Sequence, residues 1–493
     1  MELKIKSLKL TAGLPLAILN KSTAFEMGLR TSDRVSLETF SHPPKKISTI
    51  INIADKIVAK DEVGISDEIK KRLNLNEKQK VDVAFFPPSK SLIFIKKKLN
   101  GKILSRYEID EIIKDVSNNS MSDPEIALFI SAMYEKGMNM KETIYLIEAI
   151  LKTGITLKLK GKYIVDKHSV GGVPGNRTTP IVVSICAAAG LIFPKNSSRA
   201  ITSAAGTADV IETIADVEFS KEQLKKIIKK TGASMMWGGS LNMVPADSKI
   251  IKVEKILNID PESQLIASIM SKKLVVGSKY IIIDIPYGKT AKVNKKRALI
   301  LKKKFEYLGR YFHKKLKCIL TDGSQPIGNG IGPSLEIIDI IKILDPKQTG
   351  PKDLEKKSLL LAGELLEMTG KAKKGKGINL ATEILNSGKA YDKFKQIIEA
   401  QNGDLKRVKL GKFTENIHSK RSGKVIEIDN KLISALTKMA GCPIDKYAGI
   451  YLYKHVGDSV KKGEKIFTIY CESKHRLNEA VSFAHSKNPL KIR

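Results

Sequence analysis

The chain has 493 residues, of which 42% are hydrophobic. This predicts about two to four globular domains and excludes an intrinsically disordered chain. The formal net charge is +34, and most of the excess is lysine spread in short runs. Nucleic-acid surfaces usually favour arginine with interleaved aromatic residues, and aromatic residues make up only 6% here. We therefore interpret the charge as solvated lysine-rich faces, with an anionic partner as the alternative.

The sequence predicts a cytoplasmic protein that is not held in a membrane. The first residues, MELKIKSLKL, lack the apolar centre of a signal peptide. The longest apolar run, residues 181–193, is too short to cross a bilayer and predicts a buried core segment. The cysteines form no CxxC pair, so we expect free thiols, and we expect neither a metal ion nor a cofactor. These cysteines are Cys186, Cys318, Cys442 and Cys471.

Residues 1–90 predict a small β-rich domain. They carry short alternating segments, such as VDVAFF at 81–86, and a similar segment, LIFIKKK, follows at 92–98. The Pro87-Pro88 and Asn100-Gly101 pairs indicate a boundary.

A helical domain is predicted for residues 100–155, completed by about 245–275. Its apolar residues repeat at helical spacing, and Ser105 with Glu108 forms a capping-box pattern. Asp123, followed by a proline, is the predicted N-cap of the next helix.

The rest of the chain predicts an α/β domain over 160–405 and a β-rich domain over 406–493. Strand-like runs at 163–166, 278–286 and 315–323 alternate with helical segments, which predicts a largely parallel sheet.

The strongest functional signal is the segment VDKHSVGGVPGNRTTPI, residues 165–181. A predicted strand leads into three glycines, which let the backbone approach a ligand closely, and a helix follows whose first amides favour an anion. The segment predicts a phosphate-binding loop that is neither a P-loop nor a GxGxxG turn. A glycine turn with a capping serine is the alternative.

A second segment, SSRAITSAAGTADVIE at 197–212, surrounds Arg199 with small and hydroxylated residues. Dense hydroxyls and exposed amides suit an anion or a sugar. The plain alternative is a packing segment with Thr207 as an N-cap.

A third segment, NIDPESQLIASIMSKK at 258–273, predicts Asp260 as the N-cap of a helix. Ser268 and Lys272 would share one face of that helix. A solvated helix is the alternative. A further glycine-rich loop at 321–336 is interpreted as lining a cleft.

These motifs resemble the thymidine and pyrimidine-nucleoside phosphorylase family. The resemblance rests on DKHSVGG (166–172), SSRAITSAAGT (197–207) and PESQLIASIMSKK (261–273), and covers essentially the whole chain. Within the family the chain is similar to archaeal-type members that act on AMP, because it shares GGVPGN (171–176), WGGSLNMVPAD (237–247) and an additional N-terminal domain.

The resemblance implies a helical domain facing a large, mostly parallel α/β domain, with the active site in the cleft between them. It implies phosphate contacts from Lys167, Ser169, Thr179, Ser197 and Thr207. Nucleotide contacts would come from Gly172, Ser198, Arg199, Ala200, Ile201, Thr202, Ser203, Thr207, Ser268, Lys272 and Lys292. Asp260 matches the family's proton donor. His168 would either act as an acid on the base or orient the loop.

The implied reaction is phosphorolysis of a nucleoside 5′-monophosphate, with AMP and phosphate giving adenine and α-D-ribose 1,5-bisphosphate, and with CMP and UMP as further substrates. Relatives form homodimers or larger homo-oligomers. Thymidine phosphorylase is the first alternative, but the chain has IKVEKI (251–256) near where thymidine enzymes hold the base with arginine. A phosphoribosyltransferase would need a diphosphate–magnesium site, for which no acidic pair is evident. A basic nucleic-acid-binding module is the last alternative.

Overall fold

The computed structural model describes residues 1–13, 15–86, 89–157, 159–200, 203–239, 241 and 243–493. The chain divides into two compact units. The first unit comprises Met1–Thr153 and Ala246–Gln264, and the second comprises Gly154–Pro245 and Leu265–Arg493. Within the described residues, no helix is long and apolar enough to span a membrane.

The first unit begins with a closed six-stranded barrel whose strand order is β1-β5-β2-β4-β3-β6. Alternate side chains of each strand point inwards, so Leu3, Ile5, Val81 and Val83 are buried. The elements are β1 (Glu2–Ser7), β2 (Leu16–Asn20), α1 (Lys21–Glu26), β3 (Arg34–Thr39), β4 (Lys46–Ala54), β5 (Glu62–Ile65), α2 (Asp67–Leu73) and β6 (Lys80–Phe85).

Four helices follow the barrel: α3 (Ser91–Leu99), α4 (Arg106–Ser117), α5 (Asp123–Lys136) and α6 (Met140–Lys152). The prediction of an alternating strand-like segment at 92–98 was wrong, since these residues form α3. The Ser105–Glu108 capping box is confirmed. The predicted cap at Asp123 was wrong by one residue, because the Ser122 hydroxyl accepts the Glu125 amide.

The second unit contains two small parallel sheets. Strands β11, β10 and β7 form one, and β8 pairs with β9 in the other. Helices on this core bury side chains such as Ile181, Val182 and Ile185 of the predicted core segment. The elements are β7 (Val165–Ser169), α7 (Thr178–Ala188), β8 (Phe193–Ser197), α8 (Thr207–Ile211), α9 (Lys221–Thr231), β9 (Ala233–Trp237), β10 (Tyr280–Tyr287), α12 (Lys295–Tyr311) and β11 (Lys315–Asp322). Between β9 and β10, helix α10 (Pro245–Leu257) belongs almost wholly to the first unit, and α11 (Glu262–Val275) begins in the first unit and continues in the second.

The remainder of the second unit adds helices and an antiparallel region. Strand β12 pairs with β15 of the C-terminal region, which continues the sheet order β12-β15-β17-β13. A second sheet has the order β16-β14-β18. The elements are β12 (Gly330–Ile331), α13 (Pro333–Leu344), α14 (Lys352–Met368), α15 (Gly377–Asn386), α16 (Lys389–Ala400), β13 (Phe413–His418), β14 (Gly423–Ile428), α17 (Asn430–Ala440), β15 (Gly449–Leu452), β16 (Ser459–Val460), β17 (Lys465–Cys471), α18 (Lys474–Lys487) and β18 (Leu490–Ile492).

Two further expectations concern the cysteines and Asp260. The four cysteines are free, as predicted, and all four are buried. Helix α11 begins at Glu262, so Asp260 lies two residues before its first residue, and its role as N-cap stays a prediction.

Candidate active site

The glycine loop 170–176 connects β7 to α7 and takes a conformation that needs its glycines. Gly171, Gly172 and Gly175 have φ values of +94°, +84° and +68°. A Cβ atom on Gly172 would lie only 2.5 Å from the backbone nitrogen of Lys292, so a side chain there has no room. The glycine therefore brings the backbone of this loop directly against Lys292, a predicted nucleotide contact.

Lys167 is a fully buried residue of β7, and its side chain contacts the start of α7. Its ammonium donates to Thr178 Oγ1 at 2.5 Å and to Thr179 Oγ1 at 3.4 Å. The pKa of Lys167 is lowered to about 7, chiefly by burial, with the cations of Lys357 and Lys195 acting in the same direction and Asp284 opposing them. The ammonium form of Lys167 would therefore be stabilised by further negative charge close by.

Ser169 ends β7 beside Asp284 of β10, because the two strands pair in parallel register at these residues. The Ser169 hydroxyl donates to Asp284 Oδ2 at 2.9 Å, and Asn176 Nδ2 donates to Ser169 Oγ at 3.1 Å. Asp284 also accepts from Thr321 Oγ1 at 2.6 Å and lies 3.1 Å from the Lys357 ammonium. The pKa of Asp284 is lowered: burial opposes this, but the Lys357 and Lys167 cations outweigh it.

Lysines outnumber aspartates in the buried cluster around β7. Asp166 pairs with Lys273 at 2.7 Å and with Lys195 at 3.4 Å. The cluster holds four lysines and two aspartates, all at most 8% exposed: Lys167, Lys195, Lys273, Lys357, Asp166 and Asp284. Because a buried charge needs a partner, this surplus of lysines over aspartates favours an incoming anion, which would stabilise their ammonium forms.

His168 sits between these lysines on β7. Desolvation and the cations of Lys273, Lys195, Lys272 and Lys167 lower the pKa of His168 well below its usual range. The imidazole is therefore neutral near pH 7. Lys272 also donates to Ser268 Oγ at 2.6 Å, so the two share a helix face, as predicted.

The serine-rich loop 197–206 is anchored by a carboxylate and a guanidinium. Asp209 Oδ2 accepts the backbone amides of Ala200 at 2.6 Å and Gly206 at 2.8 Å. Arg199 forms a two-point ion pair with Glu212, at 2.5 and 2.7 Å, and stacks on Trp237. The guanidinium of Arg199 is thus paired with Glu212 and Trp237 of the protein.

The other predicted residues of this loop contact different neighbours. The Ser197 hydroxyl donates to Met236 O at 3.1 Å, and the Ser203 hydroxyl donates to Ala205 O at 3.0 Å. Ser198 is partly exposed. Ile201 and Thr202 lie outside the described residues. Gly206, rather than Thr207, occupies the N-cap position of α8.

The structure brings several of the predicted second-unit residues into one neighbourhood. Lys167, His168, Ser169 and Thr179 surround the glycine loop, and Lys272 lies near enough to His168 to affect its ionisation. Asp260 belongs to the first unit, and its side chain is partly exposed. Among the described residues, no group of three or more His, Cys, Asp or Glu side chains is arranged to hold a metal ion.

Several residues of the site were not predicted from the sequence. They are Asp166, Asn176, Arg177, Thr178, Lys195, Lys273, Asp284 and Lys357. Asp284 had a readable signal, since a lone carboxylate inside the apolar strand YIIIDIPY has to be paired or functional. Lys357 had none, because its sequence neighbours in α14 are ordinary for a charged helix.

Three family models match the chain in order. They are the glycosyl transferase family helical bundle domain at residues 93–154, the glycosyl transferase family a/b domain at 161–391, and the pyrimidine nucleoside phosphorylase C-terminal domain at 424–491. The anthranilate phosphoribosyltransferase of Thermus thermophilus has the same fold, with a TM-score of 0.52 at 18% identity over 63% of this chain and 99% of that chain. Fold and site thus define a pentosyltransferase of the glycosyl transferase family.

Relatives that match over nearly their whole length show which family of this class the chain belongs to. The AMP phosphorylase of Thermococcus kodakarensis is 42% identical over 100% of this chain and 98% of that protein. Those of Methanococcus vannielii and Pyrococcus furiosus are 40% and 42% identical over 99% of this chain and 97% of each protein. The chain belongs to the AMP phosphorylase family, which confirms the predicted fold class and the resemblance.

Proposed function

We propose that the chain catalyses the phosphorolysis of AMP to adenine and α-D-ribose 1,5-bisphosphate. The bond between C1′ and the adenine nitrogen breaks, a phosphate oxygen forms the new bond to C1′, and the departing base takes up a proton. The observation that carries the proposal is the surplus of buried lysines over aspartates around Lys167, whose ammonium form needs further negative charge close by. Orthophosphate would supply that charge next to the glycine loop.

The proposed phosphate contacts are Lys167, Ser169, Thr179, Ser197 and Thr207. Lys167 has the best support, because its ammonium already orients two hydroxyls at the start of α7. When a hydroxyl accepts from an ammonium, its own proton stays available to an anion. Ser197 has the weakest support, because its hydroxyl donates to a backbone carbonyl.

The proposed nucleotide contacts are Gly172, the loop 198–203, Thr207, Ser268, Lys272 and Lys292. The close approach of Gly172 to Lys292 supports placing part of the nucleotide at this point. The Ser268–Lys272 pair, near His168, supplies a hydroxyl and an ammonium to the nucleotide. The loop 198–203 and Lys292 are the proposed contacts for the second anion, the 5′-phosphate.

Asp260 is the proposed proton donor to the departing base.

His168 is a poor candidate for a cationic acid, because its pKa lies well below its usual value. As a neutral ring it would donate one hydrogen bond to the base or hold the loop in place. Bound phosphate would raise its pKa, since an anion stabilises the imidazolium form.

A substrate panel tests the reaction against its alternatives. AMP, CMP, UMP and thymidine are incubated with and without inorganic phosphate, and free base is measured. We expect phosphate-dependent release from AMP. The AMP phosphorylase relatives matched over the whole chain disfavour thymidine phosphorylase. Phosphate-independent release would indicate hydrolysis, and tight RNA binding without release would indicate a nucleic-acid-binding module.

The proposal also includes a cytoplasmic location and a homodimer or larger homo-oligomer. Small-molecule substrates are the expected partners. Sedimentation velocity of the purified chain would test the assembly, and a monomer at micromolar concentration would contradict it.

A further inference from the structure

Arg177 is the residue immediately before α7, and its side chain connects the start of that helix to two other segments, residues 205–207 and α13. Its Nε donates to Glu336 Oε2 of α13 at 2.5 Å. One terminal nitrogen donates to Thr207 Oγ1 at 3.0 Å, and the other donates to Ala205 O at 2.7 Å. A single guanidinium therefore fixes the end of the glycine loop to the end of the serine-rich loop.

The contact with Thr207 sets the direction of its hydroxyl. Because Arg177 can only donate, Thr207 Oγ1 is the acceptor, and its own proton is left to point elsewhere. The same logic applies at Thr178, which accepts from Lys167. The hydroxyls of the first residues of α7 and α8 are thus held by cations, with their protons free for an anion.

Glu336 keeps Arg177 in place from the side of α13. The carboxylate is 2% exposed and also accepts the Gly332 amide at 3.3 Å. Burial raises the pKa of Glu336, while the Arg177 cation opposes that shift. The Arg177 side chain is only 13% exposed, so the pair is shielded from the solvent that would otherwise weaken it.

We propose that Arg177 is a positioning residue for the phosphate nucleophile: it holds the Thr207 hydroxyl against the glycine loop with its proton directed to phosphate. This inference rests on the proposed function and adds to it a residue that the family resemblance did not suggest. Lysine could not replace it fully, because a single ammonium does not match three acceptors spread around a planar fork.

The test compares four variants with the wild-type chain. Arg177→Gln removes the cation, and the double variant Arg177→Gln with Glu336→Gln also removes the carboxylate that would otherwise be buried without its partner. Arg177→Lys keeps the charge. Arg310→Gln, at an exposed position in the last turn of α12, is the charge-matched control. Inorganic phosphate is titrated while thermal unfolding is followed, and KM values for phosphate and AMP are measured.

We expect both Arg177→Gln variants to weaken phosphate binding about tenfold or more, with the KM for AMP changed less than about threefold. Arg177→Lys should fall between these variants and wild type, and Arg310→Gln should match wild type. A double variant that binds phosphate within about twofold of wild type would overturn the proposal, because Arg177 would then only neutralise Glu336. Phosphate titration reports on Arg177 even where base release fails, whereas a wild-type chain that releases no base contradicts the proposed function itself.

Discussion

The Ser169 hydroxyl lies 2.9 Å from Oδ2 of Asp284, so its proton is directed to a carboxylate and not to an incoming anion. Thr179 differs, because its Oγ1 accepts from Lys167 at 3.4 Å. The hydroxyls of these two predicted phosphate contacts are therefore unequally available to an anion. To bind phosphate, the Ser169 hydroxyl has to exchange one acceptor for another.

This inequality predicts a ranking of two substitutions. Thr179→Val should weaken phosphate binding about tenfold, and Ser169→Ala only about threefold, because the Ser169 bond to phosphate replaces a bond to Asp284. Phosphate titration by calorimetry measures both. Asn176 and Thr321 still donate to Asp284 in Ser169→Ala, so the protein should fold. A larger loss of phosphate affinity in Ser169→Ala than in Thr179→Val would show that the Ser169 hydroxyl exchanges Asp284 for phosphate with no loss of free energy.

The glycine loop offers a matched pair of substitutions. Gly171 and Gly172 both have positive φ, but a Cβ atom on Gly171 meets nothing within 4 Å, whereas one on Gly172 meets the Lys292 backbone. Gly171→Ala should cost only about 1 kcal/mol, the usual penalty for a left-handed residue. Gly172→Ala should also displace Lys292 and raise the KM for AMP by about tenfold or more. Equal effects of the two alanines on the KM for AMP would contradict this close approach.

The lowered pKa of Lys167 predicts proton uptake when an anion binds. With a pKa of about 7, Lys167 is mostly neutral at pH 8 in the free protein. A bound dianion favours the ammonium form, so binding should raise the pKa of Lys167 and take up close to one proton at pH 8. Affinity for the dianion should therefore fall as pH rises above about 7.

Calorimetry at pH 8 in two buffers of different ionisation enthalpy measures that proton. Sulfate serves as the control ligand, because it has no titratable proton in this range and so isolates the contribution of the protein. Identical heats in both buffers would mean that Lys167 is already charged before the anion binds.

Asp260→Asn tests the proposed proton donor. The amide keeps the shape of the side chain but cannot supply a proton, so turnover should fall by about 10²-fold or more while AMP binding stays nearly intact. Pre-steady-state base release and equilibrium binding of AMP separate the two effects. Wild-type turnover in this variant would remove Asp260 from the mechanism.

Local sequence patterns predicted the segments around the glycine loop, because each depends on neighbours in the chain. The alternation from strand to glycine turn to helix at 165–188 needs no tertiary information. The prediction for residues 92–98 was wrong, because four apolar residues before three lysines suit either a strand or a short helix. In α3 the lysines lie in the last turn, where cations are favoured, and Lys98 reaches the buried Glu142.

The charge balance of the site was beyond the reach of sequence patterns. Asp166, Lys195 and Lys273 are far apart in the chain, and only the folded sheet and α11 bring them into contact. Arg177 likewise depends on Glu336, 159 residues away. The Ser122 cap, by contrast, was readable, since SDPE fits the same capping-box pattern as the one recognised at Ser105.

The most direct test of the central claim follows the oxygen atoms of phosphate. The chain is incubated with AMP and phosphate labelled with oxygen-18, and the sugar product is analysed by mass spectrometry. Direct displacement at C1′ predicts ribose 1,5-bisphosphate that carries the entire label of one phosphate, together with one equivalent of adenine. Unlabelled ribose 5-phosphate as the sugar product would show that water attacks instead, and would contradict the assignment of the lysine-rich site to phosphate.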